Sequence, residues 1–273
     1  MKKNRLLILT LSILCLGFSA AVVAMNTAKE AQLASEIKSR LVSGEAIELT
    51  AGTDKVLTIH EESKLPITQG GVILLHGLLQ NPDFPYVMRP LRTAMTEAGY
   101  EVLAVQMPVP PMDGRGNIFP RLNLIYKQLY ASAKARLDAA KQFFADKNNE
   151  NLVIVAYGLG ANLAVSYLTD QPSSEFRSLA TISLNHYKPD NFIDTLEKLK
   201  MPTIDIYASQ DIQPVVKGAS QRMSAISKSA GHLKALQIRI EGSDRYYRGS
   251  QDELVSIILE WLRKTASGME IQN

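Results

Sequence analysis

Cysteine is nearly absent from this chain, and aromatic residues are scarce. The one cysteine among 273 residues is Cys15, which lies in an apolar N-terminal segment. A chain without further cysteine forms no disulfide and no thiolate metal site, and it has no cysteine nucleophile. Aromatic residues make up 7% of the sequence, so no surface for stacking bases or polysaccharides is indicated.

Net charge is also low, and this excludes one class of partner. The first 24 residues contain three of the 30 basic residues and none of the 27 acidic ones, so the rest of the chain is neutral. Proteins that bind nucleic acid carry a basic surface that neutralises phosphates. We therefore expect no nucleic-acid partner. The four histidines show neither HxH nor HxxxH spacing, so we expect no metal site and no cofactor.

The N-terminal segment is typical of a secretory leader. Residues 1–5 are basic, residues 6–24 are apolar, and the segment ends in small residues up to Ala24. This layout predicts a signal peptide over residues 1–24 and hence a periplasmic or secreted protein. The alternative is an uncleaved leader that anchors the chain in the inner membrane, since nineteen apolar residues just span a bilayer as a helix.

The rest of the chain alternates between strand and helix patterns. Residues 25–44 predict an N-terminal amphipathic helix, residues 45–266 an α/β domain and residues 267–273 a C-terminal tail. Residues 45–50 and 55–60 predict an antiparallel pair of strands at one edge. The later strands are continuous apolar runs separated by helical patterns. We therefore expect a mostly parallel sheet with helices on both faces and ligands at the carboxyl ends of its strands.

Four strand ends carry motifs that resemble the α/β-hydrolase superfamily in type and order. They are His76-Gly77-Leu78-Leu79, Ala156-Tyr157-Gly158-Leu159-Gly160-Ala161, Ser209-Gln210-Asp211 and Gly242-Ser243-Asp244-Arg245. The resemblance covers roughly residues 55–264. It implies an oxyanion-hole amide from the first motif, a nucleophile on a G-x-S-x-G elbow, an acid after a later strand and a histidine after the last strand.

A narrower resemblance is carried by residues 76–85, which read HGLLQNPDFP, by residues 88–92, which read MRPLR, and by residues 102–111. Together they are similar to the bacterial α/β-hydrolase-like domain-of-unknown-function family 3530. The resemblance implies the α/β-hydrolase fold and brings no established substrate.

The sequence departs from the hydrolase pattern at two of the three triad positions. Gly158 stands where the superfamily carries the serine nucleophile, and Ala156 replaces the first glycine of the elbow. Arg245 stands where the superfamily carries histidine, and a guanidinium stays protonated near neutral pH. Asp211 fits the acid position. This degenerate triad predicts a protein that does not hydrolyse, because triad members act as a unit.

The features that bind an oxyanion are kept. Backbone amides of the elbow and of the His-Gly turn, with the positive end of the following helix, are expected to hold a small anionic or acyl ligand. Arg245 would add a full charge, or it would form a salt bridge with Asp211. The residues of this predicted ligand site are His76, Gly77, Leu78, Tyr157, Gly158, Leu159 and Arg245.

Other candidates have simpler interpretations. His60 is interpreted as a surface residue of an edge strand, His76 as a structural turn residue and Gly160 as a residue that lets a helix pack close to a strand. The alternative function is a hydrolase of ester, thioester or amide bonds with a relocated nucleophile, for which Ser183 or Ser209 and the base His186 are candidates. A third hypothesis is an envelope protein whose helix between Ala28 and Val42 docks on a partner protein.

Overall fold

The computed structural model describes residues 25–111, 119–185, 192–230 and 234–268. The leader, both predicted alternatives for it, Cys15, His186 and His232 therefore lie outside the described residues, as does most of the tail. Within the described residues, no helix is both long and apolar enough to cross a membrane.

Eight strands and seven helices alternate along the described residues. The strands are β1 (Glu45–Ala51), β2 (Asp54–Glu61), β3 (Gly70–Leu75), β4 (Tyr100–Val105), β5 (Leu152–Tyr157), β6 (Phe176–Ile182), β7 (Thr203–Gln210) and β8 (Ala235–Asp244). The helices are α1 (Thr27–Arg40), α2 (Met88–Glu97), α3 (Phe119–Ala145), α4 (Leu159–Asp170), α5 (Phe192–Leu196), α6 (Gln213–Ala230) and α7 (Gln251–Thr265).

The strands form one sheet in the order β1-β2-β4-β3-β5-β6-β7-β8. Strand β2 is antiparallel to both β1 and β4, and every later pair is parallel. Strands β3, β4 and β5 are buried along their whole length, as their continuous apolar runs predict. The mostly parallel sheet with an antiparallel N-terminal edge is confirmed.

Helices cover both faces of the sheet and enclose two cores. One core contains the inner sides of α3 and α4 with residues of α5 and α6. The other contains the inner sides of α2 and α7 together with Ile37 of α1. Since crossovers between parallel strands carry the helices to the two faces, the carboxyl ends of β3, β5, β6, β7 and β8 are left at one edge. The candidate site lies there.

Two details of the fold differ from the expected pattern. The motif at residues 242–245 was expected to follow its strand, but β8 continues to Asp244 because Asp244 still pairs with Gln210 of β7 across a bulge. Arg245 is therefore the first residue after the strand. His60 is not a surface residue, and that interpretation is wrong: β2 lies between β1 and β4, so His60 is buried and its Nε2 lies 2.6 Å from Glu101 Oε1.

Candidate functional site

The turn between β5 and α4 is a sharp strand–turn–helix elbow with Gly158, which has no side chain, at its centre. Gly158 has φ 56° and ψ −121°, a conformation that glycine adopts without steric strain. Its N–H donates to the Ile182 carbonyl at 2.8 Å, which fixes the elbow against β6. A Cβ built on Gly158 would lie 3.5 Å from the Gly77 Cα, an ordinary contact. A Cβ therefore fits at this position, and the positive φ is what favours glycine there.

Gly160 serves the packing of α4 rather than ligand binding. A Cβ at this position would lie 2.5 Å from the backbone oxygen of His76 and 3.1 Å from the Leu75 Cβ. Only glycine lets the first turn of α4 approach the end of β3 so closely. The structural interpretation of Gly160 is confirmed.

His76 holds the turn after β3 in place. Its buried ring accepts from the Met107 N–H at Nε2, 2.9 Å away, and Nδ1 lies 2.8 Å from the Gly77 carbonyl oxygen. Burial lowers the pKa of His76 to about 4, and the hydrogen bond to Gly77 only partly opposes this. The ring is therefore neutral at physiological pH, with both nitrogens bonded to backbone. This arrangement supports the interpretation of His76 as a structural turn residue.

The His-Gly turn is closed by a side chain that the sequence pattern did not single out as functional. The Gln80 N–H donates to the Gly77 carbonyl at 3.2 Å, and Gln80 Oε1 accepts from the Gly77 N–H at 3.1 Å. Leu79 adopts a φ of 61°, which a bulky residue rarely does, and its side chain is exposed. Gln80 lies within the segment that carries the family resemblance, and this was the signal available for it.

Asp211 accepts hydrogen bonds from a serine hydroxyl and a backbone amide. Its Oδ2 accepts from Ser183 Oγ at 2.5 Å, and its Oδ1 accepts from the Ile212 N–H at 2.7 Å. Ser183 Oγ also lies 3.1 Å from the hydroxyl of Tyr247, whose side chain is fully buried. Burial raises the pKa of Asp211, although the hydrogen bond from Ser183 and the charge of Arg245 act in the opposite direction.

The salt bridge between Asp211 and Arg245 stays a prediction, and the charge of Arg245 acts to lower the pKa of Asp211. Arg245 has its guanidinium 5.3 Å from the centre of the Tyr246 ring. Its backbone carbonyl accepts from the Tyr157 hydroxyl at 2.7 Å. Burial raises the pKa of Tyr157 to about 12, so this phenol stays protonated as a donor.

The candidates for a relocated nucleophile are engaged in other hydrogen bonds. Ser209 Oγ accepts from the Gly242 N–H at 2.8 Å, which links β7 to β8. Ser183 is buried and donates to Asp211. Among the described residues, no group of three or more His, Cys, Asp or Glu side chains could hold a metal ion.

The segment that carries the family resemblance folds into a buried ionic network. Arg92 is fully buried and bonds to Glu61 Oε2 at 2.9 Å and to Asp83 Oδ1 at 3.0 Å. Arg89 bonds to the same Asp83, and Arg92 also reaches the Ser43 carbonyl. The network fixes the end of the turn after β3 to α2 and β2.

The strand order, the elbow and the covered parallel sheet define the α/β-hydrolase fold. Three similar solved structures share it: a dienelactone hydrolase from Anabaena variabilis, Est1E from Butyrivibrio proteoclasticus and the esterase Pf2001 from Pyrococcus furiosus. Their identities are 16%, 12% and 14%, and each has a TM-score of 0.64. The matches cover 82%, 81% and 85% of this chain and 98%, 98% and 96% of the respective structures.

The sequence also identifies the family. The chain belongs to the family described as "Protein of unknown function (DUF3530)", which matches residues 4–116 and 126–264. No curated protein matches the chain. The predicted family and fold are both confirmed.

Proposed function

We propose that this chain is an exported α/β-hydrolase-fold protein that has lost hydrolysis and binds a small anionic or acyl ligand at its elbow. The observation that carries the proposal is Gly158, which combines the backbone of an elbow with the absence of any side chain. An acyl transfer at this position has no attacking oxygen.

The surroundings of Asp211 support the loss of hydrolysis. A triad acid orients a histidine that accepts the proton of the nucleophile. Here the carboxylate is bonded to Ser183 and to a backbone N–H, and Arg245 is the residue in the position of the histidine. A guanidinium does not accept a proton near neutral pH. In this proposal Asp211 therefore has no histidine to orient, and the position of the triad histidine holds Arg245, which cannot act as a base.

The start of α4 supports the binding of an anion. Gly158 gives the helix no side-chain cap, so no side chain of the cap residue competes for the amides of the first turn. The twelve-residue helix directs its positive end to the edge where β5 ends. Arg245 follows β8 at the same edge. Leu159 and the His-Gly turn supply the amides expected to contact the ligand.

Calorimetric titration with octanoate tests the binding proposal. We expect the wild-type chain to release or absorb heat, and the substitution Arg245→Ala to weaken binding about tenfold, as expected for the loss of a charged hydrogen-bond donor. Arg248→Ala is the matched control, since the side chain of Arg248 is 60% exposed and is paired with Asp244. An isotherm without an Arg245-dependent component would contradict the proposal.

A fluorophosphonate probe tests the loss of hydrolysis. We expect no covalent adduct on the intact purified chain by mass spectrometry and no turnover of activated esters. An adduct on any residue of the chain would show that a nucleophile is present and would overturn the proposal.

The short contact between Ser183 and Asp211 favours one alternative, hydrolysis by a relocated nucleophile. This serine has a φ of 52° at the end of β6, and its hydroxyl is bonded to a carboxylate. Burial of the hydroxyl argues against attack on a substrate. Ester turnover that disappears in Ser183→Ala and persists in Ser209→Ala would support this alternative.

The leader and α1 carry the proposals on location and partner. A cleaved leader would deliver the chain to the periplasm, and an uncleaved leader would anchor it in the inner membrane. The mass of the N-terminal peptide from the native host decides between the two.

Helix α1 buries Ile37 against the domain, so a partner would meet its polar outer face, which includes Gln32 and Glu36. Loss of a co-purified partner in Gln32→Arg and Glu36→Arg variants would support docking there.

A further inference from the structure

The side chain of Gln80 forms a hydrogen bond beside the elbow, to the backbone amide of Gly77. Its Oε1 accepts from the Gly77 N–H at 3.1 Å, and the side chain is buried. Gly77 faces the elbow, since a Cβ on Gly158 would lie 3.5 Å from its Cα. The residue nearest to a side chain at position 158 thus has its amide bonded to an oxygen of the chain itself.

The position of that oxygen is fixed on two sides. A Cβ built on Gly77 would lie 3.1 Å from Gln80 Oε1 and 2.7 Å from the Tyr157 ring. Gln80 Oε1 therefore lies close to Gly77, on the side where the Tyr157 ring also packs. The absence of a side chain at Gly77 provides the space for both groups. A carboxamide oxygen in this place has the same chemistry as the oxygen of a carboxylate, ester or amide ligand.

We propose that Gln80 is an internal ligand of the elbow, and that a carboxylate or acyl carbonyl oxygen binds by displacing it from the Gly77 N–H. This inference rests on the proposed function, and it makes Gln80 a determinant of affinity and of ligand class. A ligand with an oxygen acceptor forms a new hydrogen bond with the Gly77 N–H in place of the one from Gln80. Ligands without such an oxygen leave a buried N–H without an acceptor and are rejected.

The test compares the wild-type chain with Gln80→Ala, with octanoate and octylamine as probes. The control is Gln142→Ala, because Gln142 is exposed and its side chain bonds to Asp146 at the end of α3. Calorimetry measures affinity, and ¹⁵N chemical shifts of the Gly77 and Leu159 amides report the place of binding. We expect Gln80→Ala to bind octanoate about fivefold more tightly, because one net hydrogen bond no longer has to be broken. Octanoate should shift both amides, and octylamine neither.

The outcomes separate the two proposals. Octanoate that shifts Leu159 but not Gly77, with equal affinity in both chains, would overturn the role of Gln80 and leave binding at the elbow intact. Octanoate that binds neither chain would overturn both proposals. Circular dichroism and thermal unfolding of each variant ensure that a change in affinity is measured on folded protein. A Gly77 amide whose shift is unchanged by Gln80→Ala would also overturn the inference, since the bond in question would not exist.

Discussion

Gly158 and Gly160 are two residues apart, yet they place opposite demands on a side chain. The Cβ of a serine at position 158 meets only the Gly77 Cα at 3.5 Å, whereas one at position 160 meets a backbone oxygen at 2.5 Å. The first position is limited by its positive φ alone, and the second by close packing. Substitutions at positions 158 and 160 therefore test backbone strain and steric exclusion separately within one turn.

We predict that Gly158→Ser folds and Gly160→Ser does not fold stably. The first change should lower the free energy of unfolding by about 2 kcal/mol, the strain of a non-glycine residue at this φ. The second should lower it by more than about 4 kcal/mol, because the first turn of α4 must move away from β3. Urea denaturation measures both. Equal losses would contradict the distinction between the two positions.

His76 gives the chain a specific dependence of stability on pH. Burial lowers its pKa to about 4 in the folded state, below the value of about 6.5 for an exposed histidine. Between these values the unfolded chain binds a proton that the folded chain does not bind. The contribution of His76 is therefore present above pH about 6.5 and is lost as the pH falls to about 4.

The corresponding prediction concerns His76→Gln, which does not titrate. Between pH 7 and pH 4 the free energy of unfolding should fall in both chains, and the fall should be about 3 kcal/mol smaller in the variant than in the wild type. This difference is the pKa shift of His76 expressed as free energy. Urea titrations at a series of pH values measure the two slopes. Parallel slopes would show that His76 is protonated in the folded chain or is not buried.

At the scale of elements, α1 is tied to the loop that follows β4. Glu30 accepts from the Val109 N–H at 2.8 Å and from Arg136 Nη2 of α3 at 2.8 Å, and Arg136 also donates to the Gln106 carbonyl. The next residue, Met107, donates to His76. A continuous chain of bonds thus leads from the first helix after the leader to the turn beside the elbow.

We predict that Arg136→Met destabilises the fold by about 3 kcal/mol, because it leaves the carboxylate of Glu30 nearly buried and without its cation. Adding Glu30→Gln should recover part of the loss. The matched control is Lys134→Met on the same helix, whose exposed pair with Asp138 is expected to contribute less than about 1 kcal/mol. If the double variant were less stable than Arg136→Met alone, the loss would not come from the unpaired carboxylate.

At the scale of the whole molecule, the sequence predicts the positions of some strands well and the burial of some residues poorly. Strands β3 and β5 were predictable because six consecutive buried residues in each leave a continuous apolar run. Gly158 and Arg245 could be placed at strand ends from the sequence because each follows a recognisable strand. The burial of His60 was not readable, since it depends on β4 joining the sheet beside β2.

The hydrogen bonds around Asp211 and Gly77 could not be predicted from the sequence either. Ser183 lies 28 positions before Asp211, and the two meet only because β6 and β7 are neighbours in the sheet. The bond from Gly77 to Gln80 is local, but it requires a turn in which Leu79 takes an unfavourable φ. Residue patterns predict elements and their order. They do not predict which polar groups meet where several elements end.

The proposed loss of hydrolysis predicts that activity returns only when residues at three strand ends are changed together. Gly158→Ser restores an attacking oxygen after β5, Arg245→His restores a base after β8, and Ser183→Ala frees Asp211 from the bond on β6. We predict no esterase activity for Gly158→Ser alone and slight activity for the double variant with Arg245→His. Adding Ser183→Ala should raise the activity of the double variant at least about tenfold, because the carboxylate of Asp211 can then orient the histidine. Hydrolysis of p-nitrophenyl butyrate measures the series. Equal rates in the double and triple variants would show that Ser183 does not restrain Asp211, and activity in Gly158→Ser alone would reveal a base elsewhere in the cleft.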